Sequence, residues 1–186
     1  LFVDYAVHRL AALCLADAPG LAWLDGEGGA REGRWSFVGA TPVAHLRVGQ
    51  DEPQGLRALD AAVRPFADPP GSAASVAGAP APGEVPTWIG WTAYEAGRCA
   101  RAMPGPAVAA SPTALPTVMS FARYDALAAF DHVGGAAFVV GDDADACERL
   151  AKRLRQGQAR RPDARVTQLR APDRRDHLAR IEASLA

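Results

Sequence analysis

Four histidines are the side chains here that most suggest acid–base or nucleophilic chemistry, but their spacing fits neither. His8, His45, His132 and His177 fall in four different predicted elements. Nucleophilic catalysis needs a serine, cysteine or threonine held by a base, and a third group that orients the base. The Gly-x-Ser-x-Gly motif is absent from the sequence, and isolated histidines are more often structural or exposed. The sequence therefore predicts no catalytic residue within the chain.

Metal-ligating residues are not clustered in the sequence either. Cys14, Cys99 and Cys147 are odd in number and far apart, which argues against a disulfide framework and against a zinc site. Asp131-His132 places a carboxylate beside an imidazole, but neighbours on a strand point to opposite faces. We interpret that pair as a polar strand end, and we predict no metal site within these residues.

Two further patterns suggest phosphate or nucleic acid. The glycines at 26, 28 and 29 follow a predicted strand, but a phosphate-binding loop leads into a helix and here another strand follows, so the pattern favours a turn. Trp88, Trp91 and Tyr94 could stack on bases, yet no basic residues alternate with them. The 20 Lys and Arg against 21 Asp and Glu give a net charge of −1, which also argues against a nucleic-acid partner.

The elements that must position these residues follow from hydrophobic periodicity. Apolar residues at three- and four-residue spacing predict helices over 4–16, 56–66, 142–156 and from 173 onward. Asp142-Asp143 and Gly157 are placed to begin and end the third of these. Alternating or short apolar runs predict strands over 21–24, 34–48, 87–95, 123–132 and 136–140.

The strands carry two breaks that the sequence reveals. Ala40-Thr41-Pro42 makes residues 34–48 either two strands or one bulged strand, because proline cannot donate to a sheet ladder. Val133-Gly134-Gly135 joins the last two strands as a hairpin. Short turns between strands and helices in separate blocks predict an α+β fold, with a largely antiparallel sheet and helices packed on one face.

Location and chain ends can also be anticipated. The sequence has no run of 18 apolar residues and no signal peptide, so we expect no membrane partner and a cytoplasmic location. The last helix stops at Ala186 in mid-pattern, and we therefore expect the native polypeptide to continue.

Three segments resemble one enzyme family, in the same order along the chain. The first comprises residues 21–26 (LAWLDG) with 33–42 (GRWSFVGATP), the second residues 88–98 (WIGWTAYEAGR), and the third residues 121–126 (FARYDA) with 129–132 (AFDH). They are similar to the N-terminal half of the large subunits, or component I, of aminodeoxychorismate synthase and anthranilate synthase. In the family an apolar pair and an acid-Ser step precede an Arg-aromatic-Ser-aromatic run, and the first segment matches all of this except the serine of the acid-Ser step. The other two segments match the family's Tyr-Glu-x-Gly-Arg and Arg-Tyr-Asp motifs.

The resemblance implies a fold and a function for the intact protein. Residues 1–172 would be the N-terminal domain, half of a larger two-sheet α/β/β/α enzyme, and 173–186 the start of the chorismate-binding catalytic domain. The intact enzyme would aminate chorismate with ammonia from a glutamine amidotransferase subunit and with magnesium bound outside these residues. The chain itself would pack on its own C-terminal catalytic domain and carry none of the catalytic residues.

Many members of this family bind tryptophan beside the first segment. Leu24, Asp25, Gly33 and Trp35 would line such a pocket here if it is kept. The family's acid-Ser step reads Asp25-Gly26, so the serine hydroxyl that would bind tryptophan is missing. This favours aminodeoxychorismate synthase, of para-aminobenzoate and folate biosynthesis, over anthranilate synthase.

Two functions of another class remain open from the sequence. One is a free-standing module that binds tryptophan or a similar amino acid, which would need an enclosed pocket near Trp23 and Trp35. The other is an interaction domain whose aromatic sheet docks a second protein.

Overall fold

A computed structural model describes residues 7–26, 33–49, 52, 55–64, 76–93, 96 and 117–157 of the chain. Several sequence predictions lie outside these residues. They are the final helix from Asp173, the proposed start of a second domain at 173–186, Cys99, and the second segment beyond Ala93 except Ala96.

Three α-helices form in the described ranges where apolar residues recur at helical spacing. They are α1, α2 and α3, spanning Val7–Cys14, Gly55–Val63 and Ala144–Gln156. Asp143 begins α3, because its side chain accepts a hydrogen bond from Ala146 N–H at 2.9 Å and so satisfies a donor at the open helix end. At the other end Gly157 N–H donates to Arg153 O at 2.7 Å. The predicted limits of this helix are confirmed.

Seven strands in the same ranges form two antiparallel sheets. Strands β1 to β7 span Ala22–Leu24, Trp35–Gly39, Ala44–Gly49, Trp88–Thr92, Thr117–Arg123, Ala126–Asp131 and Ala136–Gly141. Sheet A has the strand order β1-β2-β6-β7, and sheet B the order β3-β5-β4. All the paired strands are antiparallel. The predicted α+β fold and the β6–β7 hairpin are confirmed.

The two sheets pack face to face, with helices outside. One face of sheet A is covered by α1 and α3 through a cluster whose buried members are Ala11, Ala12, Leu15, Val38, Ala128 and Phe130. Its other face meets sheet B through Phe37, Ile89, Tyr124, Leu127 and Ala129. A third cluster joins sheet B to α2 and contains Val48, Ala96, Val118 and Met119, with Leu59 of α2 packed against it.

The chain crosses from sheet A to sheet B at Ala40–Val43. Thr41 N–H donates to Pro19 O at 2.8 Å, and Thr41 has a φ of 58°, a left-handed conformation that is rare for a β-branched residue. Gly20 has a φ of 65°, and a Cβ there would lie 2.6 Å from Pro42 Cδ, so only glycine fits. Of the two possibilities left open by the sequence, the structure has two strands, β2 and β3, in different sheets.

The predicted strand over 123–132 is wrong in its extent. β5 occupies Thr117–Arg123 in sheet B, and β6 begins at Ala126 in sheet A. Between them Tyr124 turns its ring into the core between the sheets and donates its hydroxyl to Gly20 O at 2.7 Å. Because apolar residues flank Tyr124 on both sides, hydrophobic periodicity gives no signal of the break. β5 also begins at Thr117, six residues before the predicted strand start at Arg123.

Within the described residues, no helix has the length and apolar character needed to cross a membrane.

Truncating a side chain between the sheets tests this packing. Leu127 is 1% exposed, so we expect Leu127→Ala to lower the free energy of unfolding by about 2–5 kcal/mol through lost burial and the cavity left behind. Leu10→Ala on α1 is the matched control, since Leu10 is 48% exposed and should lose less than about 1 kcal/mol. Urea denaturation followed by circular dichroism measures the free energy of unfolding of both variants. Equal losses would contradict the face-to-face packing of the two sheets.

Candidate functional site

Four polar side chains from distant parts of the chain converge on the helix-covered face of sheet A. His8 lies on α1, Asp25 directly follows β1, Ser36 is on β2, and His132 directly follows β6. We refer to these four residues as the His–Asp–Ser cluster. The pairing of the strands brings them together, because Ser36 lies opposite Phe130, and His132 follows two residues later on the same face.

Ser36 is the centre of this cluster. Its hydroxyl donates to Asp25 Oδ1 at 3.0 Å and lies 2.7 Å from His132 Nε2. Gly26 N–H donates to the same hydroxyl at 2.9 Å. A hydroxyl has one proton and two lone pairs. Oγ accepts from Gly26 N–H and donates to Asp25 Oδ1, and the tautomer of His132 determines whether Nε2 donates to Oγ or accepts from it.

His8 completes the cluster from the helix side. Its Nε2 lies 3.2 Å from Asp25 Oδ1, and its ring stands edge-on to that of His132 with centroids 5.2 Å apart. Trp23 and Phe130 pack beside the ring, at centroid distances of 5.6 Å and 6.2 Å. Burial in these surroundings lowers the pKa of His8 below its ordinary value of 6.5, although the nearby Asp25 carboxylate opposes the shift. The imidazole is therefore neutral at pH 7.

The Ser36–His132 contact resembles a nucleophile beside a base, but the surroundings do not suit catalysis. Ser36 is fully buried, so no substrate carbonyl can reach its hydroxyl. In a catalytic triad the carboxylate orients the base, whereas Asp25 Oδ1 accepts from the serine itself. The structure gives these residues a role in holding three chain segments together.

The cluster also contains three residue types that bind metal ions. One ligand atom from each of His8, Asp25 and His132 lies within 4.8 Å of the other two. The carboxylate of Asp25 faces solvent with 43% of its side chain exposed, while the His8 side chain is 3% exposed. The His8 imidazole of this group is therefore held in the protein interior, while the Asp25 carboxylate is accessible from solvent.

An ion pair between a buried carboxylate and a partly exposed arginine lies at the same end of the β2–β6 pair, on the inner face of sheet A. Arg34 Nε and Nη2 donate to Asp131 Oδ1 and Oδ2 at 2.9 Å and 2.6 Å, a bidentate arrangement. The Asp131 side chain is 3% exposed and also accepts from Val133 N–H at 3.0 Å. The Arg34 guanidinium, with the N–H groups of Gly134 and Val133, holds the pKa of the Asp131 carboxyl well below its usual range, although burial opposes this.

The four residues predicted to line a tryptophan-type pocket lie in different surroundings. Asp25 joins the His–Asp–Ser cluster, and Leu24 ends β1 with 41% of its surface exposed. Gly33 is exposed and has a φ of 76°. Trp35 lies on the inner face of sheet A, where its ring packs near Phe37 and Phe138, away from Asp25. Ligand binding at these residues stays a prediction.

Sequence analysis identified Asp25 but missed its partners. His8, Ser36 and His132 are 28 to 124 residues apart from one another in the chain, and only the strand pairing brings them together. Periodicity on β2 and β6 would have placed Ser36 and His132 on the helix-facing side of their strands. It gives no register between two strands that are nearly a hundred residues apart.

A separate groove of about 330 Å³ lies between α1, α3 and the edge of sheet A. Its walls are almost wholly apolar, with Leu10, Phe130, Val139 and Leu154 among them, and Arg155 is its charged member. It offers packing and no converging polar groups, so the His–Asp–Ser cluster is the better candidate for chemistry.

Searches against protein-family models and against curated proteins find no match to this chain.

Replacing the buried carboxylate should have a large and pH-dependent effect. Asp131→Asn removes the charge that Arg34 pairs with, and we expect a loss of roughly 1–3 kcal/mol in the free energy of unfolding at pH 7, because the carboxylate is buried whereas the Arg34 side chain is 38% exposed. Because the folded-state pKa of Asp131 is depressed, its stabilisation is complete above the unfolded value near 4 and is lost as the pH falls further. The difference between wild type and variant should therefore shrink between pH 4 and pH 2.

Asp60→Asn is the matched control. Asp60 pairs with Arg64 on the surface of α2, with 60% and 74% of the two side chains exposed, so its loss should cost less than about 1 kcal/mol. Urea denaturation at a series of pH values measures both variants. A constant difference between wild type and Asp131→Asn down to pH 2 would contradict the depressed pKa.

Burial of His8 predicts a second pH effect, at higher pH. Because the pKa of His8 is lower in the folded than in the unfolded chain, the unfolded state takes up a proton first as the pH falls. Stability is then full above about pH 6.5 and decreases as the pH falls below it. His8→Phe should remove this loss between pH 7 and pH 5, and the same change at the exposed His45 should not.

Proposed function

We propose that this chain is the N-terminal scaffold half of a chorismate-aminating synthase, component I of aminodeoxychorismate synthase. In this function the described residues organise a folded platform, and the reaction takes place on residues outside them. Ammonia from a glutamine amidotransferase subunit adds to chorismate and the ring hydroxyl leaves as water, in the presence of magnesium bound outside this chain. The enzyme acts in the cytoplasm.

The observation that carries this proposal is the contact between the segments that resemble the family. Arg34 of the first segment forms the bidentate ion pair with Asp131 of the third. Ser36 of the first segment hydrogen-bonds His132 of the third. Motif residues of the first and third segments are therefore direct partners of one another in the fold.

The second segment joins the same core. β4 pairs with β5 so that Ile89 lies opposite Ala122, which belongs to the third segment. Ile89, Tyr124 and Phe37 then pack in one cluster between the sheets, with one residue from each segment. The segments that resemble the family therefore form the centre of the described fold, which is the part of a structure that homologous chains share most.

The position of Gly26 supports the aminodeoxychorismate product over anthranilate. The family's tryptophan-binding serine would stand here, but a Cβ at Gly26 would clash with the carbonyl oxygen of Gly33 and lie 2.6 Å from that of Trp35. The backbone N–H of Gly26 is bound to Ser36. A serine does not fit this loop without a backbone shift, and regulation by tryptophan is therefore not expected.

An assay on the natural full-length polypeptide tests the function. With chorismate, ammonium and magnesium we expect aminodeoxychorismate, detected as para-aminobenzoate after adding a lyase, and we expect tryptophan not to inhibit. Residues 1–186 alone should give no product. Fluorescent anthranilate formed without the lyase would favour anthranilate synthase instead, and a full-length protein that consumes no chorismate would refute both.

Calorimetry separates the amino-acid-binding alternative. If the full-length protein gives a saturable heat with tryptophan and no turnover of chorismate, a free-standing binding module replaces the enzyme proposal. Trp35→Phe is a suitable variant for locating such binding, because Trp35 belongs to the predicted pocket and phenylalanine keeps an aromatic ring in the inner core.

A further inference from the structure

The His–Asp–Ser cluster has the composition of a transition-metal site. Two imidazoles and one carboxylate are a donor set that proteins use for zinc and for neighbouring divalent metals. The hard cations calcium and magnesium prefer oxygen ligands, and more of them than this cluster offers. The donors come from α1, from the end of β1 and from the end of β6, so they are presented by three parts of the scaffold.

The spacing of the donor atoms is close to what such an ion needs. A tetrahedral zinc with bonds of about 2.1 Å separates its ligand atoms by about 3.4 Å. His8 Nε2 and Asp25 Oδ1 are 3.2 Å apart, so this pair already has that separation. No two of the three ligand atoms are more than 4.8 Å apart, which is at most about 1.4 Å above the tetrahedral separation.

Ser36 and the aromatic residues supply the supporting shell that metal sites require. The Ser36 hydroxyl contacts both Asp25 Oδ1 and His132 Nε2, at 3.0 Å and 2.7 Å, and is itself held by Gly26 N–H. Groups that hydrogen-bond the ligands fix their orientation and raise affinity. The rings of Trp23 and Phe130 pack against the His8 ring. The Asp25 carboxylate is exposed to solvent, and an ion can reach the site from that side.

We propose that His8, Asp25 and His132 bind a divalent transition-metal ion, with zinc as the ion that best matches the donor set, and that water takes the remaining coordination position. The ion would tie α1 to the ends of β1 and β6. This site is distinct from the magnesium of the proposed enzyme, which lies outside these residues.

Zinc titration of the chelator-treated full-length protein tests the site, with a chromophoric chelator as competitor. We expect wild type to bind one zinc more than His8→Gln or Asp25→Asn, or to bind that zinc at least tenfold more tightly. His45→Gln is the matched control, since His45 is exposed on β3, and it should bind as wild type does. Zinc should also raise the thermal midpoint of wild type and of the control, but less that of the two ligand variants.

X-ray absorption on the zinc-loaded wild type does not depend on the variants folding. A first shell with two imidazoles and at least one carboxylate or water oxygen supports the site. A shell that contains sulfur, or equal zinc binding by wild type and His8→Gln, refutes it, as does the absence of any zinc binding. Chorismate does not enter this experiment, so its outcome is independent of the proposed enzymatic function.

Discussion

β2 pairs with β6 so that Trp35 lies opposite Asp131 and Ser36 opposite Phe130. Because side chains alternate along a strand, this register decides which residues face the helices and which face sheet B. Ser36 and Val38 take the helix side, while Trp35 and Phe37 take the inner side. A slip of one residue would exchange the two sets, bury the polar cluster between the sheets and expose the inner core to the helices.

The ion pair between Arg34 and Asp131 locks this register at one end of the strand pair. A buried pair contributes little net stability once the desolvation of both charges is counted, but a pair with one partner missing is costly. Asp131 also organises the turn into β7, since it accepts from Val133 N–H and its carbonyl accepts from Gly135 N–H at 2.9 Å. We infer that the pair acts mainly by excluding other registers, and that the hairpin and the polar cluster depend on it.

Local signals in the sequence were sufficient for the elements but not for their assembly. The cap at Asp143, the turn at Gly134-Gly135 and the helical stripe of α3 depend on residues within a few positions of one another, and these predictions are confirmed. The two crossings between sheets were harder. Pro42 marked the first, whereas nothing marked the second at Tyr124, because a buried aromatic residue suits a strand as well as a corner. Most of β5, at 117–122, lies outside the residues that the sequence predicts as strands.

The candidate site illustrates the limit of sequence reasoning more sharply. Asp131-His132 was interpreted as a polar strand end because neighbouring strand residues point apart, and the structure agrees with that geometry: Asp131 faces inward to Arg34 and His132 faces outward to Ser36. Each of the two side chains nevertheless has a specific partner, on opposite faces of the same sheet. Asp131 and His132 therefore belong to two different networks, the ion pair with Arg34 on the inner face of sheet A and the contact with Ser36 on its helix-covered face. Both networks join β2 to β6 in the same register.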